Sequence, residues 1–161
     1  MVYIGCVLVV CLSAYIGKCF AKVYVLRDKF YKEFFKFINY LEGEIVFFQK
    51  KSKDLIDNYI QIKGDSFSKE LYEIKHILIG EKNSLDFKMF FYLKKEERMF
   101  IEEFLLGFGC KDLSVEVDNI KKIQVELGRK KDEAERLRKC NEGLIYKVCL
   151  AMGVVFCILI V

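Results

Sequence analysis

Apolar residues recur at spacings of three and four along Tyr24–Gln49. Phe30, Phe34, Phe37, Leu41, Ile45 and Phe48 form the row, and Tyr31, Phe35 and Ile38 widen it into a broad face. Lys29, Lys32, Glu33, Lys36, Glu42 and Lys50 fall largely on the other side. This spacing predicts an amphipathic helix of about seven turns. Six phenylalanines between Phe30 and Phe48 are too much apolar surface to leave in water. Other helices must cover the face, which makes this segment the spine of a bundle.

Shorter periodic stretches follow, each set off by helix start and stop signals. Ser52 or Asp54 caps a helix over Leu55–Lys63. Gly64 ends it, and Asp65 or Ser66 opens the next over Phe67–Ile79, which Gly80 closes. Asn83 or Ser84 then caps a helix over Leu85–Leu93, and another runs over Lys94–Phe108 with Met99, Phe100, Phe104 and Leu105 inward. The segment GFGCKDLS, containing Gly107, Gly109 and Asp112, is the clearest non-helical joint. From Ser114 the chain reads as one long helix, with Ile120, Ile123, Leu127, Ala134, Leu137, Leu144, Val148 and Ala151 on a heptad interrupted by Lys130 and Asn141. Its mostly charged stretch from Arg129 to Glu142 is either a solvated arm or a partner surface.

The two ends follow a different rule. Residues 2–17 are apolar or weakly polar throughout, and a helix of that length covers about 24 Å, slightly less than a bilayer's hydrocarbon core. A cleavable signal peptide has its basic residues before the apolar run; here Lys18 and Lys22 come after it, so an uncleaved anchor is expected. Residues 148–161 form a second apolar run, and extension back through GLIY past Lys147 lengthens it enough to span if that lysine snorkels. Lys18, Lys22, Arg27, Lys29 and Lys32 follow the first run, whereas Arg129, Lys130, Lys131, Arg136, Arg138, Lys139 and Lys147 precede the second. The positive-inside rule therefore expects the middle in the cytoplasm. The chain divides into an N-terminal anchor over 1–20, a cytosolic helical bundle over 21–147 and a C-terminal transmembrane segment over 148–161. The spine and the last helix each join an anchor, so they are expected side by side and antiparallel. The competing arrangement is a soluble bundle whose two apolar ends pack on each other, and it predicts recovery without detergent.

Composition agrees with helices. The 161 residues include no proline and no tryptophan, and the fold class expected is all-α. Net charge is only +4, but all 27 Lys and Arg and all 23 Asp and Glu lie between Lys18 and Lys147. Four of the seven cysteines sit in the apolar ends as small hydrophobes, and no CxxC pair or His/Cys cluster suggests zinc or a disulfide framework. The single histidine, His76, reads as a surface or half-buried structural residue. No P-loop, dinucleotide fingerprint, HExxH or nucleophile elbow occurs. The basic pairs are balanced by nearby acids, unlike a nucleic-acid-binding face. No catalytic, cofactor-binding or metal-ligating residue is expected, no cofactor, and no enzyme.

Leu41-Glu42-Gly43-Glu44-Ile45 resembles the LE-x-EI signature of the stage III sporulation protein AB family of endospore-forming bacteria. Phe108-Gly109-Cys110-Lys111-Asp112 is similar to that family's LG-x-SD turn, with Lys111 where Ser is usual and Glu116 where Gln is typical further on. Length, an anchor at each end, helix order and the charged final helix also match. The resemblance implies a role in the membrane assembly through which the mother cell supports the engulfed forespore. It implies a cytosolic domain similar to the helical domain of platform proteins in type II secretion. A non-enzymatic scaffold in the mother-cell membrane around the forespore would then meet other membrane proteins of the channel complex, a cytosolic secretion-type ATPase, the bilayer and, by self-association, a second copy. Glu42, Glu44, Gly109 and Asp112 are the candidate partner-binding residues. The alternative function is a membrane-anchored helical adaptor or signalling protein unrelated to sporulation.

Overall fold

The computed structural model describes residues 2–48, 57–61, 67–108 and 113–160. Four helices dominate: α1 Val2–Phe48, α2 Ser68–Leu78, α3 Lys95–Gly107 and α4 Leu113–Ile160, with a further helical turn at 57–61. No strand occurs among the described residues, and the fold is all-α. The first anchor and the spine are one unbroken helix, because no Pro lies between them and Lys18 interrupts hydropathy without interrupting helix propensity. The GFGCKDLS joint at Gly109 and Asp112, the caps proposed at Ser52, Asp54, Asp65 and Ser66, and most of the Leu55–Lys63 helix lie outside the described residues.

The chain forms two compact units, Phe30–Lys131 and the pair Met1–Lys29 with Asp132–Val161. The Phe30–Lys131 unit has an aromatic core. Phe30, Tyr31, Phe34, Phe37, Ile38 and Leu41 from α1 are sealed from solvent. The ring of Phe30 stacks on Phe34 at 5.4 Å between centroids and meets the edge of Phe90 at 5.6 Å. Leu71, Ile74 and Ile77 of α2, Ile101 and Leu105 of α3, and Ile120 and Leu127 of α4 complete the interior. Each of these apolar side chains contributes about 1.5–3 kcal/mol on burial.

Local chemistry places the joints. Gly80 ends α2 at φ 76°, a left-handed conformation that glycine adopts without penalty, and Glu81 N–H donates back to His76 O at 2.9 Å. The helix expected over Leu85–Leu93 is instead a series of turns. Lys88 N–H donates to the Asp86 carboxylate at 2.8 Å, an Asx turn that competes with helix propagation. Phe90, Tyr92 and Leu93 are all buried, a spacing that no single helix face provides. Tertiary burial thus overrides the local period. On α3, Glu97 accepts from Lys94 N–H at 2.9 Å, half of a capping box. Met99, expected inward, is exposed, because Ile101 and Leu105 define the buried stripe of α3.

In the other unit, α1 and α4 run antiparallel with a seam of small residues. A Cβ on Gly153 would lie 2.8 Å from Ser13 Cβ, and one on Gly17 would lie 3.0 Å from Cys149 Cβ. The Ser13 hydroxyl donates to Cys149 O, and Cys157 Sγ–H to Cys6 O at 3.2 Å. The charged stretch deeper in this unit is held to α1 by ion pairs, Arg27 with Glu133 at 3.7 Å and Arg138 with Asp28 at 3.2 Å. From residue 132 on, the stretch is a packed seam of this unit as well as a charged surface.

Candidate functional site

Four residues were expected at a partner surface. The structure describes two of them, both half-buried on α1: Glu42 and Glu44. Glu42 belongs to a polar bridge between helices. Gln124 of α4 donates from Nε2 to Glu42 Oε2 at 2.6 Å and to Asn39 Oδ1 at 3.0 Å. Asn39 and Glu42 are neighbours because residues three apart share a helix face, and the antiparallel approach of α4 brings Gln124 over both. A charge-assisted hydrogen bond of this kind stabilises by roughly 1.5–3 kcal/mol, which gives Glu42 a structural task inside its own chain.

The same stretch of α4 forms one wall of a cleft. Glu116, Asn119, Lys122 and Ile123 face Phe100, Glu103, Phe104 and Gly107 of α3 across about 270 Å³. Phe104 packs edge-on to Phe108 at 5.6 Å, and Lys130 Nζ lies 5.1 Å from the Phe100 ring centroid, a cation–π contact that holds this wall. Glu116 is buried at the base of α4. The lining mixes the apolar Phe100, Phe104 and Ile123 with Glu103, Asn119, Lys122 and the buried Glu116.

Tyr59 and Tyr92 are buried in this unit. Burial, with Glu33 and Tyr40 nearby, raises the Tyr59 phenol from 10.0 to about 12. Burial likewise raises Tyr92, helped by its hydrogen bond to Glu70. His76 is half-buried with Nδ1 at 2.5 Å from Glu81 Oε2. Among the described residues no group of three or more His, Cys, Asp and Glu is arranged around a common metal position.

Sequence reasoning missed Gln124 and Asn39 as the partners of Glu42, and the cleft altogether. The bridge joins residues 82 positions apart, beyond any local pattern. The only available signal was Gln124 standing beside Ile123 on the inward edge of the heptad.

The unit that contains the chain ends exposes the opposite surface. Two windows, within Gly5–Ile45 and Ser114–Leu159, have mean hydropathies of 1.8 and 1.9 with 11% of each window buried. Both helices are long and apolar enough to cross a membrane, and within these windows most apolar side chains point outward instead of into a core.

Comparison with known proteins agrees with these features. A model of the stage III sporulation protein AB family matches residues 2–161. No curated protein and no solved structure matches. The chain belongs to the stage III sporulation protein AB family, and its role lies in stage III of sporulation.

Proposed function

We propose that the protein is a non-enzymatic platform of a secretion-like channel complex between mother cell and forespore. In this reading the apolar parts of α1 and α4 anchor it in the mother-cell membrane around the forespore. The Phe30–Lys131 unit lies in the cytoplasm, where it meets a secretion-type ATPase, a second copy, or both, while the anchors meet other membrane proteins of the complex. One observation carries the reading: α1 and α4 each contain an outward-facing apolar stretch and a stretch committed to an aromatic helical core. A scaffold needs that division of labour between lipid and protein surfaces, and it requires no reacting group.

The experiment that tests it is deletion in the source organism, with counts of heat-resistant spores and imaging of membrane-dyed cells. Loss of resistant spores with forespores engulfed but stalled supports the platform. Normal sporulation overturns it. At the residue level, Glu42→Lys and Glu44→Lys should each weaken capture of the ATPase or of a second copy by the full-length chain. Glu42→Gln separates charge from shape, since it keeps an acceptor for Gln124. Unchanged capture by both reversals removes the acidic pair from the partner surface.

A further inference from the structure

We propose that Lys18, Lys22 and Lys147 form a recognition site for the phosphate of an anionic phospholipid headgroup, at the charged end of the apolar helix pair. The inference rests on the membrane reading above and adds a lipid class and the residues that select it.

Proximity comes from the seam. A Cβ on Gly17 would lie 3.4 Å from Tyr146 Cα, so the two backbones nearly touch there. Lys18 and Lys147 are the next residues on α1 and α4, and Lys22 stands one turn beyond Lys18. All three are exposed, and none has a carboxylate partner among the described residues. Nearby acids are committed elsewhere in the unit: Asp28 pairs with Arg138 at 3.2 Å, Glu133 with Arg27 at 3.7 Å, and Glu135 with Lys139 at 2.8 Å. Glu142, exposed and about one turn before Tyr146, is one acid near three lysines, which leaves a local excess of positive charge.

The surroundings fit a membrane interface. Tyr15, Phe20 and Tyr146 are exposed around the same level, as in an aromatic belt. Beyond them the surface is apolar and offers acyl chains a wall to lie against. Each ammonium presents three donors to phosphate oxygens, and a zwitterionic headgroup would cancel most of that attraction with its own cation. A polar ligand free in water would gain nothing from the apolar wall. A lipid gains from both.

The test uses the full-length chain reconstituted in phosphatidylcholine vesicles with trace spin-labelled phosphatidylglycerol or phosphatidylcholine. The expected result is about a fivefold preference for the anionic label, the size of one lysine's attraction to an anionic surface. The preference should fall to near unity in Lys18→Gln/Lys22→Gln/Lys147→Gln and persist in Lys88→Gln/Lys121→Gln, which changes two exposed lysines of the other unit. Equal association of both labels with the unaltered chain, or full preference in the triple variant, overturns the proposal. Loss of the preference to inorganic phosphate, at an ionic strength where chloride leaves it intact, would reveal a small-anion site and overturns it too. Flotation of the chain with the vesicles after alkaline extraction is scored separately. Failure there overturns the membrane reading itself, whereas insertion without lipid preference overturns only this inference.

Discussion

In the Phe30–Lys131 unit, Phe37, Ile38 and Leu41 have no exposed surface, whereas Leu12, Ile158 and Leu159 in the other unit keep 61%, 71% and 76% of theirs. The residue types are much the same. What differs is the position of the large side chains relative to the helix contacts. One unit buries most of its aromatic rings and keeps most of its charges at the surface, as water demands. The other puts Gly, Ser and Cys at the contact and leaves Leu, Ile and Phe outside. That is how helices associate in lipid, where burial of another leucine gains nothing and close backbone approach gains packing. The two surfaces fit two solvents, water around the aromatic unit and lipid around the apolar ends of α1 and α4.

The largest expected effect is at the centre of the aromatic core. Phe37→Ala should cost about 3–5 kcal/mol of the stability of the Phe30–Lys131 unit, by lost transfer energy and a residual cavity. Leu159→Ala should leave the stability of a detergent-solubilised chain nearly unchanged. Denaturant unfolding in micelles followed by circular dichroism distinguishes them. Equal losses at the two positions would mean that both units face the same solvent.

Next come the buried charges. Asp28 is 3% exposed and pairs with Arg138 in the two-helix unit, where the other unit would place a phenyl ring. Asp28→Ala strands a guanidinium and should cost about 3 kcal/mol, the low end for a broken buried pair because Arg138 keeps some solvent contact. Asp28→Ala with Arg138→Leu should recover part of that loss. No recovery would show that Asp28 acts through other contacts.

Glycines sharpen the contrast at smaller scale. Gly153→Leu forces a side chain against Ser13 and should cost about 1–3 kcal/mol of helix pairing, measured by cysteine cross-linking between α1 and α4. Gly43 lies in open space on α1, so Gly43→Ala should instead stabilise the aromatic unit by about 0.5–1 kcal/mol. If both substitutions act with the same sign, small residues are not what brings the two helices together.

Periodicity made much of this architecture readable in advance. Phe30, Phe34, Phe37 and Leu41 announced their face by spacing alone, and α2, α3 and α4 fell close to their expected bounds. The Leu85–Leu93 turns did not announce themselves, because the rings that draw Phe90 and Tyr92 inward come from α1, far away in sequence. The charged stretch after Asp132 was ambiguous for a related reason. Charge shows where solvent or a partner is needed, but only the fold shows that Arg27 and Asp28 are those partners. Glu42 stood out in sequence, while Gln124, which holds it, had no mark of its own.

The smallest effect concerns protons in the shielded core. Tyr59 packs against Phe37 and Tyr40 at 5.2 and 4.9 Å, and its phenol titrates at about 12 instead of 10.0. A folded-state value above the unfolded one means that its stabilising contribution is complete below pH 10 and is lost as pH rises toward 12. Tyr92, also raised, adds loss in the same direction. Ultraviolet titration of the folded chain should therefore show a late-ionising class of tyrosines accompanied by alkaline loss of structure. Tyr59→Phe should remove part of that class and soften the alkaline loss while leaving neutral-pH structure intact. A titration in which every tyrosine ionises together near pH 10, with no change in the variant, would mean that water reaches the rings between α1 and the 57–61 turn. The contrast between a dry aromatic unit and a lipid-facing one would then lose its first half.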